Sequence, residues 1–134
     1  MPLVRIDVLE GRTDEDVDAI SDAVHEALIE CLGVPERDRF QIISLHRPGT
    51  LRFDRHYLDI ERSDEFVLVH ITLAAGRDNA QKQGFYHRLA ELLADRCGLR
   101  AEDLAVVLLE NERADWSFGK GQASYLELPR EAWY

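Results

Sequence analysis

The chain opens with apolar residues that alternate with polar ones over residues 3–9. This pattern predicts a half-buried β-strand. Three further apolar segments, 40–45, 66–74 and 104–109, predict three more strands, so the second half repeats the plan of the first.

Two longer segments instead follow the helical period, with apolar residues on one face. The first helix is expected to begin after Thr13, a favourable N-cap, and to run to about Leu32. Gly33 is expected to end it. The second helix is expected to run to Cys97, where Gly98 plays the same part.

Identical residues recur at one constant offset of 65 positions, which indicates an internal duplication. The pairs are Ile6 and Ile71, Gly11 and Gly76, Arg12 and Arg77, Glu26 and Glu91, Gly33 and Gly98, and Asp38 and Asp103. Each repeat, about 2–45 and 67–110, reads β-α-β, with parallel strands and a right-handed crossover. The predicted fold is α+β, a four-stranded sheet with two helices on one face.

The rest of the chain fits around this duplicated unit. Its 134 residues suit a single domain, 1–134, with a C-terminal tail at 111–134. Apolar residues alternate within 46–62, which predicts a hairpin over one end of the sheet. Helices on one face leave the other sheet face bare, so self-association is expected.

Composition narrows the class of partner. The chain has 16 basic and 26 acidic residues, a net charge of −10. Such a surface repels phosphate backbones, so we expect no nucleic-acid partner. No apolar segment is long enough to predict a membrane span. Cys31 and Cys97 are predicted to be small buried residues in a reducing compartment, and a cytoplasmic location is expected.

Pro2 is the first candidate for chemistry. Initiator methionine is normally removed before proline, which would leave a secondary amine at the N-terminus. A free α-amino group has a pKa of about 7.7–8.0, and burial in an apolar pocket lowers it. Such a group can exchange a proton near neutral pH. The alternative is that Pro2 only starts a strand, where its missing N–H is harmless.

Two charged residues are expected near the same end of the sheet. Asp38 precedes the second strand, so parallel pairing brings it towards Pro2, where a carboxylate could hold an ammonium or orient water. The alternative is a salt bridge in the turn. Arg77, between a strand and a helix N-terminus, could grip a carboxylate, or it could pair with a nearby acid such as Asp78. For the equivalent Arg12 the ion pair is favoured.

An aromatic, glycine-rich turn is the last candidate. Trp116 and Phe118 lie in 116–121 and could wall a small apolar pocket. Alternatively they fill the core or a subunit contact. The five histidines show no metal-ligand spacing, so no metal site is predicted, and His25 and His87 are expected on helix surfaces.

These residues resemble one known family. The match runs from Pro2 to about Leu126 and rests on several short stretches in addition to Pro2. They are Glu10–Asp14, Val34–Pro35, Arg37–Arg39, Gln41–Ile42, His46–Pro48, Gln81–Lys82, Phe85–Tyr86, Cys97–Gly98, Glu110–Asn111 and Ala114–Gly119. Together they are similar to the tautomerase superfamily, and within it to the malonate semialdehyde decarboxylase branch.

The resemblance implies a duplicated β-α-β fold, a homotrimer, removal of Met1, and catalysis by an N-terminal proline without a cofactor. It implies Pro2 as the acid/base, Asp38 as the group that tunes it or positions water, and Arg77 as the carboxylate-binding residue. Trp116 and Phe118 are implied as the pocket wall.

One departure matters. The decarboxylases of this branch carry Arg-Pro-Arg before the second helix, where this chain has Ala75, Gly76 and Arg77. Loss of one arginine predicts a weaker grip on an anion.

Two hypotheses follow. The first is an enzyme for a small oxo acid, either a keto–enol tautomerase or a decarboxylase or hydratase. The alternative is a trimeric binding or signalling protein with vestigial catalysis, as macrophage migration inhibitory factor suggests.

Overall fold

A single mixed sheet organises the chain. The computed structural model describes residues 2–134, and its strands are Pro2–Leu9 (β1), Phe40–His46 (β2), Val67–Ala74 (β3) and Leu104–Asn111 (β4). Their order across the sheet is β2-β1-β3-β4. β1 runs parallel to β2 and β3 parallel to β4, whereas the central pair, β1 and β3, is antiparallel.

Two long helices connect the strands of each parallel pair. They are Asp14–Leu32 (α1) and Asn79–Cys97 (α2), both of 19 residues and offset by the 65 positions expected from the repeats. Both begin at a side-chain N-cap and end at a glycine in the left-handed conformation, Gly33 with φ 67° and Gly98 with φ 64°. Glycine adopts this conformation without steric cost. The predicted duplicated β-α-β fold is confirmed.

The core lies between the helices and one face of the sheet. Alternate residues of β1 and β3 point into it and meet apolar side chains of α1 and α2. Those that are at most 1% exposed include Val4, Ile6, Val8, Val24, Leu28, Val67, Ile71, Phe85 and Leu89. Full burial of one such aliphatic or aromatic side chain contributes about 1.5–3 kcal/mol to folding.

The opposite face of the sheet is apolar and exposed. Five side chains on this open face are 37–54% accessible: Leu3, Phe40, Ile42, Val107 and Leu109. The pairing register places them on the side away from the helices, because their neighbours in sequence are the core-facing residues.

Two sequence-based predictions were wrong. The segment 47–66 is described throughout and contains no strand, so the expected hairpin is absent; it has a short 3₁₀ turn, Tyr57–Asp59. Phe53 stacks on Phe66 with the ring centroids 4.2 Å apart. The apolar side chain of Phe53 therefore anchors this loop instead of belonging to a strand. His25 is 8% exposed, not on a helix surface, because its Nε2 lies 2.7 Å from the carbonyl oxygen of Glu36.

The tail after β4 is short and mostly irregular. It includes a 3₁₀ turn at Arg113–Asp115, the four-residue helix Ser124–Glu127 (α3) and a final 3₁₀ turn at Arg130–Trp133. Within the described residues, neither long helix is apolar enough to cross a membrane.

Candidate active site

A cavity of about 200 Å³ opens at the end of the sheet where β1 begins and β3 ends. Asp38 and Arg77 both line it, together with Ala74, the last residue of β3. We call it the Arg77 cavity. Pockets for drug-sized ligands occupy about 300–1,000 Å³, so this volume suits a smaller molecule.

Pro2 lies at the same end of the sheet. It is buried, and it pairs with Leu73, the residue before the cavity-lining Ala74. Among the described residues, Pro2 itself is not part of the cavity lining. The expected removal of Met1 concerns a residue outside the described part of the chain.

The loop before β2 positions Asp38. Its backbone N–H donates to the carbonyl oxygen of Pro35 over 3.0 Å, and the buried His25 ring contacts the carbonyl oxygen of Glu36. The hydroxyl of Tyr125 donates to Asp38 Oδ2 over 3.3 Å. Asp38 is therefore positioned by the backbone of its own loop and by a side chain of the tail.

The surroundings of Tyr125, including this contact, change the pKa of its phenol. Its burial, and then the negative charge of Asp38 and the hydrogen bond to it, raise the pKa of the phenol well above its ordinary value, while Arg77 acts in the opposite direction. The phenol therefore stays protonated near neutral pH and serves Asp38 as a hydrogen-bond donor.

Arg77 is held by the backbone. Its Nε and Nη2 donate to the carbonyl oxygen of Leu32 over 3.1 and 2.9 Å, and its Nη1 donates to the carbonyl oxygen of Ala74 over 2.9 Å. Since a guanidinium has five N–H donors, two remain for a ligand. Burial lowers the pKa of Arg77 from its ordinary value, partly opposed by the charge of Glu110.

The alternative ion pair of Arg77 with Asp78 is not formed in the described structure. Asp78 instead caps α2: its carboxylate accepts from the backbone N–H of Gln81 over 2.8 Å, and the Gln81 side chain accepts from the backbone N–H of Asp78. The N-terminus of α2 is thus already satisfied by the chain itself.

The repeat-related residues Asp103 and Arg12 also line one cavity, a separate space of about 280 Å³, but there they are engaged differently. Asp103 is fully buried and accepts hydrogen bonds from the backbone N–H of Ser63 over 2.6 Å and from its hydroxyl over 2.7 Å. Arg12 donates to the carbonyl oxygen of Glu65 and forms an ion pair with its carboxylate at 3.2 Å. The two repeats therefore diverge in what these shared residues contact.

An aromatic row borders the site. Trp116 stacks on Phe118 with centroids 5.5 Å apart, and Phe118 meets Tyr125 edge-on at 5.5 Å. Phe118 and Tyr125 line a second cavity of about 280 Å³, which also touches Asp38. Among the described residues, Trp116 lines neither cavity. Its indole N–H donates to Asn111 Oδ1 over 2.8 Å, and its ring contacts the site only through Phe118, on which it stacks.

Five residues that line the Arg77 cavity come from the tail, and none of them was predicted as a site residue. They are Arg113, Tyr125, Arg130, Trp133 and Tyr134. Tyr125 lies 87 positions from Asp38, so no local spacing could have predicted the contact. The sequence offers one signal for them, the aromatic residues of the tail, which include Tyr125 and Trp133.

Comparison with known proteins identifies the fold's relatives. Two family models described as tautomerase enzymes match the chain, one over residues 38–119 and one over 2–54. The first match alone spans more than half of the chain. The probable tautomerase YusQ of Bacillus subtilis (strain 168) is 36% identical over 127 residues, which are 95% of this chain and all of that protein.

A second relative and two solved structures agree. The probable tautomerase YrdN of Bacillus subtilis (strain 168) is 37% identical over 94% of this chain and 97% of its own length. A malonate semialdehyde decarboxylase, studied for its decarboxylase and hydratase activities, is 40% identical with a TM-score of 0.87, covering 92% of this chain and 95% of its own.

A malonate semialdehyde decarboxylase inhibited by 3-bromopropiolate is 39% identical with a TM-score of 0.87, over 95% of this chain and 99% of that one. A fused 4-OT protein solved as a symmetric trimer shares the fold, with a TM-score of 0.74 at 20% identity over 90% of this chain and 94% of its own.

Proposed function

Because this chain belongs to the tautomerase superfamily and is similar to its malonate semialdehyde decarboxylase branch, we propose that it is an acid–base enzyme for a small oxo acid. Pro2, freed by removal of Met1, exchanges the proton. Arg77 binds the substrate carboxylate, and Asp38 sets the charge of the amine or orients water. No cofactor is needed for this chemistry.

One observation carries the proposal. Asp38 and Arg77 line one small cavity, and the proposal is supported by the pairing of Pro2 with Leu73, the residue that precedes the cavity-lining Ala74. An acid/base, an anion-binding cation and a tuning carboxylate are the groups that such a reaction requires. The enzyme relatives favour this reading over a binding or signalling protein.

The charge of Pro2 decides which reaction follows. As a neutral amine it accepts the proton of an enol hydroxyl and returns it to the neighbouring carbon, which completes a keto–enol tautomerisation. Burial and the positive charge of Arg77 favour this neutral form. Phe118, which borders the site, would wall the pocket, with Trp116 behind it.

As an ammonium, Pro2 instead donates a hydrogen bond to the carbonyl oxygen of a 3-oxo acid. The bond to the carboxylate carbon breaks, carbon dioxide leaves, and the electron pair forms an enolate that is protonated on carbon. Alternatively, water oriented by Asp38 adds to the polarised carbonyl carbon. The negative charge of Asp38 favours this protonated form.

The enzyme would assemble as a homotrimer through the open face of the sheet. Five exposed apolar side chains lie on this one face, and apolar residues grouped in this way on a surface commonly mark a site of protein association. The symmetric trimer of the fused 4-OT protein supports this assembly by its shared fold.

The experiment compares turnover of phenylenolpyruvate and malonate semialdehyde by the purified chain and by Pro2→Ala. Mass spectrometry first establishes whether Met1 is removed. Positioned acid–base catalysis contributes about 10²- to 10⁴-fold, so we expect a loss of that order for the preferred substrate. Unchanged turnover in Pro2→Ala would exclude the mechanism.

A further inference from the structure

Two arginines of the tail share the Arg77 cavity. Arg113 lies in the turn after β4 and Arg130 in the final 3₁₀ turn, and both line the cavity with Arg77. Three guanidinium groups therefore surround a space of about 200 Å³, in a chain whose net charge is −10. This concentration of positive charge runs against the field of the whole protein.

The arginines of the tail are positioned by one aromatic ring. Arg113 Cζ lies 5.3 Å from the centroid of the Trp133 indole ring, and Arg130 Cζ lies 5.7 Å from it. Both distances are within the range of cation–π attraction. Trp133 in turn meets Tyr125 edge-on at 5.0 Å, which connects it to the partner of Asp38.

Acidic groups offset the positive charges of the site only in part: the charges of Glu110, Tyr134 and Asp38 all act on Arg77. Within residues 2–134, neither tail arginine nor Arg77 forms a salt bridge with an acidic side chain. Asp38 is the single acidic side chain in the described lining. Glu110, which lies near Arg77, is paired with Lys82.

Arg77 alone cannot bind two anionic groups, because three of its five N–H donors are used by backbone carbonyls. Ala75, which also lines the cavity, brings no charge. A second anion at this site would need the tail arginines, which present up to ten further donors of fixed geometry.

We propose that Arg113 and Arg130 form a second anion subsite in the Arg77 cavity, and that the preferred ligand is a small oxo acid with two carboxylates. One carboxylate binds the free N–H groups of Arg77, and the other binds the tail arginines. The proposal rests on the proposed function for the reaction, but binding itself does not require Pro2. The tail arginines thus offset the weaker grip predicted from Ala75.

Calorimetry with two inert four-carbon acids tests the subsite. Succinate and butyrate differ in the second carboxylate. A hydrogen bond to a charged group contributes about 1.5–3 kcal/mol, so succinate should bind the wild type about tenfold or more tightly than butyrate. The double variant Arg113→Gln/Arg130→Gln should lose this preference and leave butyrate binding unchanged.

Two controls make the result specific. Arg113→Lys/Arg130→Lys keeps the charges and should retain part of the preference for succinate. Arg52→Gln changes an exposed arginine that donates to its own loop at Gly49, and it should change neither affinity. Circular dichroism verifies that each variant is folded.

Equal affinity of the wild type for the two acids would overturn the proposal, as would an unchanged ratio in the double glutamine variant. A fall in melting temperature of that variant with an unchanged ratio would mean that the arginines only hold the tail. If the ratio collapses while Pro2→Ala keeps full turnover, the subsite stands and the proposed function fails. If instead the ratio is unchanged in the double glutamine variant while Pro2→Ala loses turnover, the subsite is refuted and the proposed function stands.

Discussion

Arg77 closes the end of the first helix by donating two N–H groups to the carbonyl oxygen of Leu32, the last residue of α1. The guanidinium therefore joins two repeats, since it follows β3 in the second and satisfies a carbonyl in the first. A carbonyl at a helix C-terminus has no partner within the helix, and a cation there is favoured by the helix dipole.

Because Arg77 has both roles, we expect Arg77→Ala to lower both stability and activity. Removal of a partner from a buried acceptor costs about 1–3 kcal/mol, so the free energy of unfolding should fall by that order. The value of kcat/KM should fall as well, because the substrate carboxylate loses its cation. Urea denaturation and steady-state kinetics measure the two effects.

The repeat-related variant Arg12→Ala is the matched control. Arg12 contacts the backbone and carboxylate of Glu65, away from the Arg77 cavity. It should lower stability and leave kcat/KM unchanged. The assignment is wrong if Arg12→Ala reduces kcat/KM as strongly as Arg77→Ala does.

The fold was largely predictable because the spacing of apolar residues and the residues that begin and end helices indicate the same elements. Alternation in β1, helical spacing in α1 and the glycines that end both helices are local signals, and they gave the correct elements. The hairpin predicted within 46–62 was wrong, because alternation of apolar residues does not by itself provide a partner strand. Phe53 stacks on Phe66 at the end of the same loop, whereas Tyr57 and Leu58 are 65% and 71% exposed.

The candidate site was predictable only in part, because some of its residues reach it through long-range packing. Asp38 and Arg77 stand at turns whose place follows from the strand order, so topology brings them to one cavity. Arg113 and Arg130 reach that cavity through the packing of an irregular tail on Trp133. No period or cap determines such packing, because it depends on long-range contacts.

Asp38→Asn should separate catalysis from folding. The amide keeps the shape of the side chain but removes the charge that would hold the ammonium form of Pro2 or orient water. We expect kcat/KM to fall about 10²-fold, with a melting temperature close to that of the wild type.

Asp103→Asn, at the equivalent position of the second repeat, should show the opposite pattern. Its carboxylate is fully buried and accepts two hydrogen bonds from Ser63. Loss of charge-assisted bonds there should lower the free energy of unfolding by about 1–3 kcal/mol with kcat/KM unchanged. Loss of activity in both variants to the same degree would refute a distinct role for Asp38.

Tyr125 predicts a specific dependence of stability on pH. Its pKa is raised in the folded chain from an ordinary value of 10.0, so folding favours the neutral phenol. The stability it contributes is complete below pH 10 and is lost as pH rises towards the folded-state pKa, because the unfolded chain then releases the proton first.

Tyr125→Phe cannot ionise and serves as the reference. Urea denaturation of both proteins at about pH 9 and about pH 11 should show the stability of the wild type, relative to the variant, falling with pH. Subtracting one protein from the other cancels the titration of every other group. Parallel curves would show that the Asp38 contact and the burial do not shift the phenol.

Leu109→Glu tests the proposed trimer. Leu109 is 54% exposed on the open face of the sheet, next to the equally apolar surface of Val107. If this face is buried between subunits, the new carboxylate is taken out of water without a partner, which costs on the order of several kcal/mol per buried ion. Sedimentation velocity should therefore show a trimer for the wild type and a monomer for the variant.

Leu58→Glu introduces the same side chain where no interface is expected. Leu58 is 71% exposed in the 3₁₀ turn of the loop between the repeats. This protein should sediment as the wild type does. A monomeric wild type would refute the trimer itself, and a Leu109→Glu trimer would show that the apolar face lies outside the subunit interface. Dissociation by both variants alike would show that added negative charge, in a chain already at −10, is what separates the subunits.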